Sequence, residues 1–101
     1  MRLIVFFDLP MVKKKERREY VKFRKYLLKQ GFIKNQFSVY SKITLNNTAT
    51  EAVIRNLRSN LPEEGNIQVL TVSEKQFQNI EYMLGERQNE ILDNVERLVI
   101  L

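Results

Sequence analysis

Apolar residues along the chain follow two periods, and the changes between them divide it into elements. Residues 2–8, RLIVFFD, alternate as a strand: Leu3, Val5 and Phe7 point one way, Ile4 and Phe6 the other. Both sides are apolar, so both should be covered. Pro10 breaks the strand and opens a turn. From Val12 or Lys13 to Gln30 the period becomes helical. Tyr20, Val21, Phe23, Leu27 and Leu28 fall within an arc of roughly 160° at about 100° per residue. Gly31 supplies the stop signal.

Residues 32–44, FIKNQFSVYSKIT, have strand composition. Phe37 and Val39 share a phase with Ser41 and Ile43; Ile33 and Asn35 keep it and Phe32 does not. The polar centre Lys34-Asn35-Gln36 suits either one bulged strand or a tight pair of strands. Asn46, Asn47 and Thr48 offer an N-cap for a helix running to about Asn60, with Ala49, Val53, Ile54, Leu57 and Leu61 as its apolar positions. Residues 62–66 form a turn, and IQVLTV at 67–72 is a strand apolar on both faces. Ser73 followed by Gln76 resembles a capping box opening a short helix with Phe77 and Ile80. A polar connector, 85–94, leads to a last strand, VERLVIL, at 95–101.

The order strand, helix, one or two strands, helix, strand predicts an α+β ferredoxin-like sandwich, βαββαβ, over residues 1–84. Residues 85–101 add the connector and a C-terminal strand. Two helices cover only one face of such a sheet, yet strands 2–8 and 67–72 are apolar on both. A second copy of the chain is the simplest cover, which predicts a homodimer. The terminal strand is placed to extend the partner's sheet edge, the alternative being that it folds back on its own sheet.

Composition narrows the chemistry. Cysteine and histidine are both absent, which removes disulfides, thiolate or imidazole zinc sites, cysteine nucleophiles and any Ser-His relay. What remains is carboxylate, hydroxyl, Lys, Arg or a hard metal. No run is long enough to cross a bilayer, and Leu3 to Phe7 is too short for a secretory leader, so a cytoplasmic location is expected.

The net charge of +5 suggests a polyanionic partner, and position sharpens it. Lys14, Arg18, Lys22, Lys25 and Lys29 fall within an arc of roughly 80° opposite the apolar stripe. Lys15 extends this ridge at one edge. A solvated lysine face is the plain reading; contact with several phosphates of a duplex is the functional one. No aromatic residue alternates with the ridge cations, which argues for backbone contact with a duplex over single-strand stacking. Arg17 and Arg24 fall inside the apolar arc. Arg24 is read as snorkelling along the sheet flank, and Arg17 as pairing with Asp8 or with a phosphate near it.

Asp8, one of two Asp residues in the chain, ends a strand of apolar residues before Leu9 and Pro10. Its plain role is to hydrogen-bond the following backbone and start the turn. Its functional role is as a carboxylate kept for chemistry, since one beside apolar residues is costly unless paired or used.

The strand-Asp-Leu-Pro at 3–10, the charged helix ending KYLLKQGF at 25–32, and QFSVY at 36–40 together resemble the CRISPR-associated protein 2 family. Within it the chain is similar to the branch found beside single-effector, Cas9-type systems. The resemblance covers most of the chain and rests on the combination of motifs. It implies a ferredoxin-like homodimer whose strand-one Asp meets its twin near the two-fold axis. Asp8 matches that position, where two carboxylates and waters hold Mg²⁺, or Mn²⁺ in its place. It further implies one of two functions. The dimer is a duplex-DNA-binding scaffold beside the integrase, CRISPR-associated protein 1, in spacer acquisition; or it is a metal-dependent endonuclease on RNA or DNA with Asp8 as its catalytic carboxylate. Arg17, Arg18 and Ser38 match polar residues that the family places near the site. An RNA-recognition module fits less well, since only Phe37 and Tyr40 are aromatic in 36–43 and alternation sets them on opposite faces.

Overall fold

A computed structural model describes residues 1–86; most of the expected connector and the whole of the terminal strand lie outside those residues. The described chain runs β1 (Arg2–Asp8), α1 (Lys14–Lys29), β2 (Ile33–Gln36), β3 (Val39–Ile43), α2 (Asn47–Arg58), β4 (Asn66–Val72) and α3 (Glu74–Gln78). The sheet order is β2-β3-β1-β4 and every neighbouring pair is antiparallel. This is the βαββαβ ferredoxin-like arrangement, with β1 central and β2 and β4 at the edges.

Register assigns the faces. Leu3, Val5 and Phe7 pair across β1–β4 with Thr71, Val69 and Ile67, so these six share one face. On that face Leu3, Val5 and Phe7 are buried with Tyr20, Phe23 and Leu27 of α1, Leu57 of α2 and Tyr40 of β3. Phe7 is the hub: its ring meets those of Phe23, Tyr20 and Tyr40 at centroid distances of 5.3, 5.6 and 5.6 Å. The Tyr26 hydroxyl donates to Asn56 Oδ1 at 2.8 Å and ties the two long helices together. The expected arc on α1 proves too wide, for Val21 and Leu28 at its margin are exposed.

The stretch 32–44 combines both readings open to it. It is a pair of strands, and the pairing also shifts register between Lys34 and Gln36, a bulge that takes up Asn35. The turn is Phe37-Ser38, with Ser38 at φ 65°. That turn destroys the alternation expected across it. Phe37 packs on Tyr20 of α1, on the same side of the sheet as Tyr40, and not on the opposite face.

On the other face α3 covers one end. The predicted capping box forms: Ser73 Oγ accepts from the Gln76 amide at 3.0 Å, and Gln76 Oε1 accepts from the Ser73 amide at 2.8 Å. The cap sets Phe77 under the guanidinium of Arg2, 4.0 Å from ring centroid to Cζ. Arg2 is buried there, donates to Glu74 Oε1 at 2.7 Å and Oε2 at 3.1 Å, and reaches Ser41 Oγ at 3.3 Å. Beyond α3 no other described element covers this face: Phe6 is half-buried, and Leu70 and Ile43 are exposed. Among the described residues no helix is long and apolar enough to cross a membrane.

Candidate nucleic-acid interface and carboxylate site

The first turn of α1 shows what Asp8 does not do. Glu16 Oε1 accepts from the amides of Val12 and Lys13 at 3.1 and 2.8 Å, filling orphan donors at the helix start. Arg17 Nη1 donates to the Val12 carbonyl at 2.5 Å. The turn between β1 and α1 is therefore held by Glu16 and Arg17. Asp8 accepts no side-chain hydrogen bond and joins no ion pair among the described residues. The turn-forming role expected of Asp8 is not realised, and neither is its pairing with Arg17, whose guanidinium is drawn to the loop carbonyl.

Asp8 is exposed and pairs in register with Asn66, which puts it on the open face with Phe6, Gln68 and Leu70. Its backbone is fixed more closely than its side chain. Gly65, at φ +110°, lies so near that a Cβ there would come within 2.8 Å of the Asp8 carbonyl and 2.5 Å of Leu9 Cδ2. Ser38 is one strand away: its carbonyl accepts the Phe7 amide at 3.0 Å, while its hydroxyl lies 3.3 Å from the Tyr20 hydroxyl and not on Asp8.

Within one chain these residues do not enclose a metal. Among the described residues no group of three or more Asp, Glu, His or Cys side chains converges. Asp8 is one exposed carboxylate with no partner among the described residues, too few ligands to hold a metal by itself. It suits Mg²⁺ or Mn²⁺, ions that keep several waters and take one or two carboxylates, only when a second carboxylate joins it.

The cations behave as the period predicts. Lys14, Arg18, Lys22, Lys25 and Lys29 are all exposed, and none pairs with a carboxylate among the described residues. They point away from the core side of α1 and extend about 22 Å at 1.5 Å per residue. Lys15 differs: its Nζ lies 3.1 Å from Glu63 Oε2, and that hydrogen bond raises its pKa above the ordinary lysine value. Arg24 is half-buried, as snorkelling requires. It reaches Tyr40, whose hydroxyl pKa is pushed up by burial and pulled partly back by the guanidinium.

The ridge and Asp8 are not one surface. The ridge lies on the far side of α1 from the sheet, and Asp8 projects from the sheet's other face. The sequence missed Arg2 altogether, because its partner Glu74 is 72 residues away. Nor does anything local in the sequence reveal that Phe37 is left exposed beside α1.

Residues 1–80 match the family model of CRISPR associated protein Cas2. A CRISPR-associated endoribonuclease Cas2 of Streptococcus mutans serotype c is 52% identical over 101 residues, all of this chain and 93% of the relative. The protein so named in Treponema denticola is 50% identical over 101 residues, the full length of both chains. That of Ligilactobacillus salivarius is 41% identical, again over both full lengths.

Proposed function

The chain belongs to the CRISPR-associated protein Cas2 family, and from that premise we propose that it acts as a homodimeric duplex-DNA-binding scaffold in spacer acquisition. Its partner in that role is the integrase, CRISPR-associated protein 1. The observation that carries this reading is the row of five exposed cations on α1, free of carboxylate partners among the described residues and directed away from Asp8. A straight helix bearing lysines at one-turn spacing offers point charges to successive phosphates and no base-edge chemistry, which is what a sequence-indifferent grip needs. Dimerisation is supported by Phe6, Ile43 and Leu70 on the face that α3 leaves open.

A second reading is a Mg²⁺- or Mn²⁺-dependent endonuclease. It is favoured by the relatives' name, endoribonuclease, and by an Asp8 with no structural partner. Two Asp8 carboxylates, one from each copy, would hold the ion, which supplies an activated water and charge neutralisation at a phosphodiester. This chain contributes the carboxylates and their placement by the Gly65 contact; with no histidine in the chain, protons must be carried by other groups.

The experiment is a salt titration of duplex binding by the Lys14→Glu, Arg18→Glu, Lys22→Glu triple variant. Each phosphate contact contributes about 0.9 to the slope of log K against log salt. Loss of three should flatten the slope by roughly 2.7 and weaken binding at low salt. An unchanged slope and affinity would remove the ridge from the function.

A further inference from the structure

The ridge carries no aromatic residue, but the fold brings one beside it from another element. Phe37, at the tip of the β2–β3 hairpin, is 64% exposed. Its ring lies nearly parallel to that of Tyr20, with centroids 5.5 Å apart and planes 19° off. Tyr20 is buried, and its hydroxyl lies 3.3 Å from that of Ser38. The Ser38 carbonyl in turn accepts the Phe7 amide at 3.0 Å. One face of Phe37 is thus backed by a fixed ring, and the hairpin tip is pinned to the central strand. Phe37 stacks on no other ring among the described residues.

A second row of cations, apart from the ridge, runs along α1 past Tyr20, the ring on which Phe37 stacks. Arg17 and Arg24 stand three residues before and four after Tyr20, hence along one stripe of α1. Arg17 is exposed and held in place through its bond to the Val12 carbonyl, and its other donors have no partner among the described residues. An open aromatic face beside a guanidinium group suits an unpaired nucleotide: the base stacks and a flanking phosphate meets the cation. The interior of a duplex offers no free base face, so the ring can serve only an end or an unpaired stretch. An apolar protein partner would gain nothing from the cations.

We propose that Phe37 is a stacking platform for an unpaired nucleobase, with Arg17 taking an adjoining phosphate. Where the nucleic acid is a duplex lying on the ridge, a point that rests on the scaffold reading, the platform receives its frayed or single-stranded end.

The chain contains no tryptophan, so Phe37→Trp installs a single indole reporter. Its emission should be quenched as a short thymidine oligomer is added. The wild-type protein should bind a duplex with single-stranded overhangs more tightly than a blunt one. Phe37→Ala should reduce that preference about tenfold, leaving blunt binding unchanged, while Phe37→Trp keeps it. The proposal is overturned if Phe37→Ala affects both duplexes equally or neither, or if the indole emission ignores the oligomer. It is overturned too if that emission follows protein concentration instead, which would assign the ring to a contact between copies. If the wild type fails to bind blunt duplex yet the oligomer quenches the indole and binds Phe37→Ala about tenfold more weakly than wild type, the scaffold reading falls and the platform stands.

Discussion

Gly65→Ala should be among the most damaging single-methyl changes in this chain, and the size of the loss can be worked from its surroundings. Gly65 sits at φ +110°, where a residue with a Cβ is strained by about 1–3 kcal/mol. The added methyl would also stand 2.5 Å from Leu9 Cδ2 and 2.8 Å from the Asp8 carbonyl oxygen. Leu9 is buried and the carbonyl is backbone, so neither can step aside without moving the end of β1. Overpacking of that kind costs about 1–3 kcal/mol more. The total, roughly 2–6 kcal/mol, is a large part of the approximately 5–15 kcal/mol that holds a typical domain folded. Gly31→Ala isolates the clash from the strain. Gly31 has φ +94°, yet a Cβ there meets only the tip of the flexible Lys42 side chain, at 3.3 Å. In urea, with a slope of about 1–2 kcal/mol per molar, the Gly65→Ala midpoint should fall about 0.5–3 M below that of Gly31→Ala. Equal midpoints for the two variants would refute the argument that β4 is seated against the Asp8 backbone.

Two further outcomes test the open face of the sheet. The hydrogen bond from Arg2 holds Glu74 below the ordinary carboxylate value, with burial opposing. Because the folded pKa is depressed, the pair's contribution is present above the unfolded value and is lost as pH falls through the folded one. Glu74 is 41% exposed, so solvent screens the pair to about 1 kcal/mol or less. Melting temperatures of wild type and Glu74→Gln should differ at neutral pH and converge under acid; a gap that persists below the folded pKa would show that Glu74 acts through packing alone. Asp8→Asn removes a charge that nothing among the described residues uses, so stability should shift by less than about 0.5 kcal/mol. If the endonuclease reading holds, Mg²⁺- or Mn²⁺-dependent RNA and DNA cleavage disappears in that variant while sedimentation still reports a dimer; cleavage that survives would clear Asp8 of a catalytic role.

Which parts of this molecule could be read from the chain follows from how far apart the deciding residues lie. The ridge on α1 was legible because every member is within four residues of the next, and helix geometry alone puts them on one face. The α3 cap was legible for the same reason, Ser73 and Gln76 being three residues apart. The β2–β3 hairpin was legible only in part. Its turn uses Phe37-Ser38 where Asn-Gly would advertise itself, with Ser38 accepting the positive φ. A bulge two residues earlier shifts the phase again. Alternation counted through both features sends Phe37 to the wrong face.

Asp8 stood between two roles because what decides between them is not local. The groups that shape its turn are Glu16 and Arg17, eight and nine residues on, and only the folded chain shows that they complete the task without it. A carboxylate relieved of a structural role, at the mouth of a face that still exposes Leu70 and Ile43, has its chemistry decided by what covers that face. The ridge needs no such completion, since all its cations come from one helix. On the two proposed readings the surfaces therefore depend on different things: duplex affinity on α1 alone, and chemistry at Asp8 on a second carboxylate brought to it. A variant that separates the copies should abolish the latter while leaving each ridge intact, so the scaffold and nuclease readings can be tested apart within one protein.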